Sequence, residues 1–473
     1  MRDENNKAGV SGVGLMKKVR FASLTGIALL FVAQAASAES LSNALLEAYR
    51  KNPTLNAARA GQRVTDEAVP QALSGWRPTV TTQGSVQQSW VNSSSSNIFV
   101  GQSYTRPTQE NYAIQLKQPL FRGFRTTENT KVAEAQVKGG RQQLLATEQQ
   151  VLLNGIQSYL DVMRDRRTLQ LRQQNLTVLD DQLRASNARF KAGELTKTDV
   201  AQSQAGVATA KAALAGTVAQ LRASEATFEQ IIGHKPDRLE SAPAARAPAS
   251  LEQAYDIAHE TNPQILASAQ AAVAAEHNVG VAFSGLLPQA DLIGNYSYQA
   301  TENTTGNAQT DLSNLTVQGV LTVPLYEAGL TYSQVRAAKQ KASQSRISVI
   351  DVTRQIRQSV AANWASYTAS KQALSSAATS TSASQTAYDG VKQEYQVGSR
   401  STIDVLNAEQ TLLNAQISQV SLQHDLILAS YRLQASIGHL TGQHLHLGPL
   451  YDPTENYNEV RNKWIGTKAD VLQ

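Results

Sequence analysis

The chain of 473 residues carries no Cys, three Met, 6% aromatic and 17% charged side chains. Lack of Cys excludes a disulfide framework, thiolate catalysis, Cys-ligated zinc, iron–sulfur clusters and an acylated Cys anchor, and no apolar run reaches the ~18 residues of a spanning helix. The formal charge of +5 is mostly local, because residues 1–38 hold Arg2, Lys7, Lys17, Lys18 and Arg20 against Asp3 and Glu4, and the remainder has no basic footprint for nucleic acid.

From Met16 the chain reads Lys17-Lys18-Val19-Arg20, then an apolar stretch from Phe21 to Ala33, then Ala36-Ser37-Ala38 before Glu39. A charged start, a short apolar centre and small residues at a cleavage site, in that order, make residues 1–38 a signal peptide. Met16 is an alternative start, with residues 1–15 an upstream extension. The mature chain then begins at Glu39, in a bacterial envelope where stability without disulfides comes from packing or assembly.

Residues 39–235 form a first structural repeat. An N-terminal helix carries the pair Asn52-Pro53, and strands are expected at about 78–91 and 108–121, joined by a polar loop from Asn92 to Gln102. Tyr112, Ile114 and Leu116 alternate with Ala113, Gln115 and Lys117, so one face is apolar and the other polar. Such strands match the ~9–11 residues of a tilted transmembrane β-strand. Trp76, Phe121 and Phe124 near one end, and Trp90, Phe99 and Tyr104 near the other, sit where interfacial aromatics would. A soluble amphipathic sheet is the alternative.

No Pro interrupts the stretch between Pro119 and Pro236, which reads as a helical hairpin over about 125–232. Apolar residues recur every seven at Val162, Leu169, Leu176, Leu183 and Phe190, and again at Val200, Val207, Leu214, Leu221 and Phe228. That spacing keeps one seam against a partner helix, as in a coiled coil; an ordinary amphipathic helix is the alternative. An arm from Arg125 to Ala192 would extend ~100 Å at ~1.5 Å per residue. It breaks at Gly193-Glu-Leu-Thr196-Lys-Thr198-Asp199, where Gly suits the left-handed end of one helix and Thr with Asp caps the next.

Residues 236–250, with Pro236, Pro243 and Pro248, read as a linker, and residues 251–440 repeat the first unit. Leu41 to Leu55 recurs as Leu251 to Ile265 at an offset of 210, and the register resumes at 205 with Phe190 matching Tyr395, Gly193 matching Gly398 and Asp199 matching Asp404. A period this long is no solenoid. The second unit is expected to hold strands at about 288–300 and 311–326, a polar loop from Thr301 to Thr310, and a hairpin at about 330–437. Leu315, Val317, Gly319 and Leu321 alternate with Thr316, Gln318, Val320 and Thr322, and Leu406, Leu413, Val420 and Ile427 repeat every seven. Residues 441–473 form a C-terminal tail.

Four strands cannot close a barrel, and an open edge in lipid leaves backbone groups unsatisfied, so the barrel must be shared between chains. Two chains would supply eight strands and little room; three supply twelve and an aqueous lumen. Hairpins hanging from such a barrel make a tube.

The Asn-Pro pairs (Asn52-Pro53, Asn262-Pro263), the strand endings Gln118-Pro119-Leu120-Phe121 and Val323-Pro324-Leu325-Tyr326, and the turn from Tyr395 through Gly398, Arg400 and Asp404 to Asn407-Ala408 closely resemble the TolC family of outer-membrane efflux proteins. The resemblance covers the whole mature chain. It implies a mainly α fold with β: a homotrimer with a shared twelve-stranded barrel in outer-membrane lipid and a long helical tunnel in the periplasm. It further implies a periplasmic adaptor and an inner-membrane transporter, an RND pump or an ABC exporter, as partners in exporting drugs or, in type I secretion, proteins. No cofactor is implied.

The family's closed entrance lies at the hairpin turns. By resemblance Tyr395 and Arg400 tie the inner hairpin to Asp199, Thr198 and Gln182 of the outer one. Asp404 matches an acidic ring at the constriction, where three carboxylates would favour cations. Asn407 stands where a second acidic ring is expected, which implies a weaker cation filter. Gly193, Thr196, Gly398 and Ser401 mark the turns where the adaptor docks. Asp199 and Asp404 also suit first helical turns as caps, and the docking positions also suit plain turns.

The seven His form no HExxH, and no phosphate loop or nucleophile elbow is present, so no enzyme is expected. His444-Leu-His446 is expected to be solvated, and Arg164-Asp-Arg166-Arg167 to be a solvated helix face. The remaining alternative is a trimeric coiled-coil spacer or adhesin without a pore, for which duplicated membrane-length strands have no use.

Overall fold

A computed structural model describes residues 38–93, 103–303 and 308–467. The expected leader up to Ser37, Phe99 and parts of both polar loops lie outside the described residues. In chain order the elements are α1 (Leu41–Lys51), α2 (Pro53–Asp66), α3 (Ala68–Leu73), β1 (Thr79–Gln88), β2 (Val91–Ser93), β3 (Ser103–Thr105), β4 (Pro107–Arg122), α4 (Arg125–Lys191) and α5 (Lys197–Ile232). The second repeat supplies α6 (Leu251–Thr261), α7 (Pro263–Phe283), β5 (Gln289–Asn303), β6 (Ala308–Thr322), α8 (Leu330–Gln396) and α9 (Thr402–Ser436), and α10 (Glu455–Val460) lies in the tail.

The Asn-Pro pairs explain themselves locally. Pro cannot donate inside a helix but fits its first position, so each pair ends one helix and starts the next. Asn52 Oδ1 accepts from the amides of Thr54 (3.0 Å) and Leu55 (3.4 Å), while its Nδ2 donates to the Ile231 carbonyl (3.1 Å) at the end of α5. The second repeat copies the device: Asn262 Oδ1 accepts from Gln264 N (2.9 Å), and Nδ2 donates to Ser436 O (2.9 Å) at the end of α9. One buried side chain thus caps a helix and pins the return arm of its own hairpin.

β1, β4, β5 and β6 form one antiparallel sheet in the order β1-β4-β5-β6, with β1 and β6 as its edges. The register places Val80 opposite Leu116, Ile114 opposite Tyr296, and Tyr296 opposite Leu315. Val80, Tyr112, Ile114, Leu116, Tyr296, Leu315, Val317 and Leu321 therefore share one face, each 45–72% exposed. Thr81, Gln115, Asn295 and Thr316 line up on the other face. β1 stops at Gln88, before the short β2–β3 ribbon. β6 stops at Thr322, four residues short of the expected end, because Pro324 has no N–H for a ladder. A bulge between Pro119 and Phe121 bends β4 into the helical part.

α4 and α8 each run 67 residues, ~100 Å at ~1.5 Å per residue, but α5 and α9, with 36 and 35 residues, return only about half that way. The rest of α4 is flanked by α2, α3 and α7, and the rest of α8 by α6 and α7. The largest core gathers there: Leu45 and Leu55 from the first helices, Leu152, Ile156 and Tyr159 from α4, Phe228 and Ile232 from α5, and Leu440 from the tail. The linker is strapped down. Tyr159 Oη lies 2.6 Å from the Glu240 carbonyl, Tyr431 Oη donates to Pro243 O (3.2 Å), and Ala245 N donates to Ser430 Oγ (2.8 Å). The tail folds back on the first repeat through Gly442 N to Glu148 Oε1 (2.7 Å), Tyr451 N to Tyr49 Oη (3.0 Å) and Asn456 Nδ2 to Asp66 Oδ2 (3.0 Å).

Two sequence expectations shift here. On α4 the expected series starts in the core, with Val162 fully buried, but Leu169, Leu176 and Leu183 are only half-buried and Phe190 is 43% exposed, while Asp165, Leu171, Asn175, Leu179 and Ser186 are buried instead. α4 packs against both α5 and α9 here, so a single apolar series marks only one of two seams. Arg164 to Arg167 is also no plain solvated face. Asp165 is buried, Arg164 bridges Asp161 and Asp165 at 2.8 Å each, and Arg166 reaches Glu225 (3.1 Å) and the linker carbonyl of Pro236 (2.8 Å).

Candidate functional site

The hairpin turns lie side by side at the tip. Gly193 and Gly398 take φ of +81° and +80°, the left-handed conformation that ends α4 and α8, and nothing crowds either Cα. Each turn then closes a capping box. Thr196 donates to Asp199 Oδ2 through its hydroxyl (2.6 Å) and amide (2.9 Å), and Ser401 does the same to Asp404 Oδ2 (2.7 and 3.0 Å). The hydroxyl bond first and the amide bond second hold both carboxyls below the usual carboxylate range; Arg400 adds to the effect at Asp404. Both aspartates are therefore ionised caps. Gly193, Thr196, Thr198, Gly398, Ser401 and Asn407 are all exposed.

Gln182 and Tyr395 meet across the hairpins, with Gln182 Nε2 donating to Tyr395 Oη at 3.3 Å. Thr402 Oγ1 lies 3.4 Å from the same oxygen. Arg400 and Asp199 do not meet. Arg400 Nε binds Glu394 Oε2 at 2.7 Å, on its own hairpin, and Asp199 is spent on its cap. The acid six residues upstream wins because the turn itself brings it within reach, with no second hairpin to wait for.

Tyr395 holds a partner that sequence reasoning missed. The Arg189 guanidinium of α4 stacks on its ring, 4.8 Å from the centroid, and the ring is buried. One turn pair deeper, Asn175 Nδ2 donates to the buried Glu409 of α9 (3.0 Å), which bonds Tyr388 of α8; burial first, and Glu409 second, push the Tyr388 hydroxyl up. Asn175, Gln182 and Arg189 are seven residues apart, as are Tyr388 and Tyr395, and Thr402 and Glu409. The first and second hairpins thus meet along a polar seven-residue track. A search for apolar heptads passes over it; a search for polar residues at that spacing would have found it. The track borders a cleft of about 300 Å³.

Nothing at the tip resembles a metal or cofactor site, and among the described residues no three His, Asp or Glu groups are placed to hold a metal ion. His444 and His446 are exposed to solvent as expected, and His444 also stacks on His439 with centroids 4.4 Å apart.

Comparison with known proteins agrees with this geometry. The family described as outer membrane efflux protein matches residues 44–234 and 254–439, one span per repeat. The outer membrane efflux protein BepC of Brucella suis biovar 1 (strain 1330) is 38% identical over 440 residues, covering 92% of this chain and 93% of that protein. The outer membrane protein TolC of Vibrio cholerae is 25% identical over 439 residues, covering 88% and 94%. Among solved structures, the CmeC outer membrane channel of Campylobacter jejuni superposes with a TM-score of 0.73 at 16% identity, over 89% of each chain.

Proposed function

Because the chain belongs to the outer membrane efflux protein family, we propose that it is an outer-membrane channel-tunnel that carries drugs or secreted proteins out of the cell. One observation carries this reading. A single chain joins a four-stranded sheet, apolar on one exposed face and polar on the other, to hairpin arms of 67 residues. The sheet leaves β1 and β6 unpaired in the chain, and their directions are opposite, so β6 of one copy can pair antiparallel with β1 of the next. Three copies close a twelve-stranded barrel with no edge in lipid and a polar lumen, the condition that a bilayer imposes. The same exposed apolar face argues against a non-conducting spacer.

Below the barrel the arms of three copies surround a periplasmic tunnel whose lower end is formed by the hairpin turns. There Asp404, three times over, forms the constriction with Asn407 one turn further in, a single acidic ring that favours cations. Gln182 and Tyr395 support a latch between the hairpins, with Arg189 as its second hold on the ring. Thr198, Asp199 and Arg400 flank it. The exposed turns at Gly193, Thr196, Gly398 and Ser401 suit docking of a periplasmic adaptor that brings an inner-membrane transporter, an RND pump or an ABC exporter, into line. Purified protein in a planar bilayer is expected to conduct ions with cation preference; a preparation that never conducts would sink the channel reading.

A further inference from the structure

We propose that His424 is a positioning residue for the tip, a proton-loaded clamp that holds α9 of the inner hairpin against α4 of the outer one. The inference rests on the reading of the hairpin turns as an opening entrance. His424 is only 8% exposed and lies between two carboxylates on different helices. Nδ1 is 2.9 Å from Asp425 Oδ1 on its own α9, and Nε2 is 3.0 Å from Asp161 Oδ1 on α4, though not aligned for a hydrogen bond. A neutral imidazole carries one N–H and can serve one of these acids; the other would face a lone pair. Only the imidazolium has a proton for each.

The surroundings keep that arrangement tight. On α4, Arg164 binds Asp161 and Asp165 (2.8 Å each), and Asp165 is held by Ser224 of α5, so Asp161 is aimed from behind. Arg167 of α4 lines the adjoining cavity of about 240 Å³, whose other walls include Leu160, Met163, Val420 and Ile427. The charged groups facing the ring are thus Asp161, Asp165, Arg164 and Arg167 from α4 and Asp425 from α9. Burial acts first and lowers the ring's affinity for a proton, but the two aspartates outweigh it and raise the pKa above the ordinary His value. A raised His contributes fully below its ordinary range near pH 6.5 and loses its contribution as pH rises through the raised value.

His424 stands 20 residues along α9 from Asp404, ~30 Å at ~1.5 Å per residue. A swing of the tip away from the outer hairpin must slide α9 past α4 at this point, so a charged clamp resists opening and a neutral one yields.

The test is single-channel recording of the reconstituted full-length assembly at about pH 5.5 and about pH 8, for wild type, His424→Gln and Asp161→Asn. Wild type is expected to open about fivefold less often at the acid pH, the size of one close ion pair without an aligned hydrogen bond. His424→Gln should lose most of that difference, leaving what other histidines contribute. Asp161→Asn keeps the imidazole, removes one acid, and should move the transition to lower pH; it decides alone if His424→Gln does not assemble. A His424→Gln channel that shifts equally at both pH values, or profiles that coincide in all three proteins, would overturn the clamp and leave the channel reading standing. A wild type silent at every pH would overturn the channel reading, and the clamp with it.

Discussion

Tyr395 offers the sharpest perturbation of the tip, because two substitutions separate its two kinds of contact. Tyr395→Phe removes the hydroxyl and with it the contacts to Gln182 at 3.3 Å and Thr402 at 3.4 Å. Thr402 lies on the same hairpin as Tyr395 and keeps its contact when the hairpins part, so only the long Gln182 bond counts toward the closed state, about 0.5 kcal/mol. Tyr395→Ala also removes the ring on which Arg189 stacks at 4.8 Å, another ~1 kcal/mol for a partly desolvated cation–π pair. If the Gln182 and Arg189 contacts exist only with the hairpins together, the closed state weakens about twofold in the first variant and about tenfold in the second, per chain. Arg189→Gln should match the difference between them. Single-channel recording reads these ratios as open probability at fixed pH and salt. Arg400→Ser is the internal control: its partner Glu394 lies on the same hairpin, so opening should scarcely change. Arg400→Ser channels that open freely while Tyr395→Ala channels stay closed would refute this assignment of the latch.

Other expectations follow from the same geometry. Asp404→Asn should weaken block by trivalent cations applied at the tip, and an unchanged block constant would remove Asp404 from the constriction. Because Ser401 holds the Asp404 carboxyl below the usual range, that block should persist undiminished from about pH 8 down to about pH 5; loss within this window would mean the carboxylate responsible is another. Leu315→Arg should cost ~2–4 kcal/mol, or abolish insertion, if Leu315 faces mid-bilayer lipid, whereas Thr316→Arg on the opposite face should assemble normally; equal tolerance in heat-modifiability gels would reverse or void the face assignment. Asn262→Ala should lower stability by about 2 kcal/mol, one cap plus one cross-element bond, measured as a shift in guanidinium midpoint.

Much of this protein was legible without coordinates. The duplication, the change from a period of two to a period of seven, and the Gly, Ser/Thr and Asp spacing at each turn are all short-range patterns that act through local backbone preference. They determined the helices, the strands, the caps and the polar and apolar strand faces, and the strand count alone required several chains to share one barrel. What they could not determine was partnership. Arg400 had a plausible acid on either hairpin, and only the turn geometry put Glu394 within 2.7 Å. Arg189, Asn175 and Glu409 look like ordinary helix-surface residues until α4 is laid against α8 and α9, and His424 is one of seven unremarkable His until Asp161 arrives from more than 260 positions away. Apolar seams announce themselves because burial is non-directional and needs only a stripe; polar contacts depend on distance and angle between particular atoms, which exist only once the helices have packed.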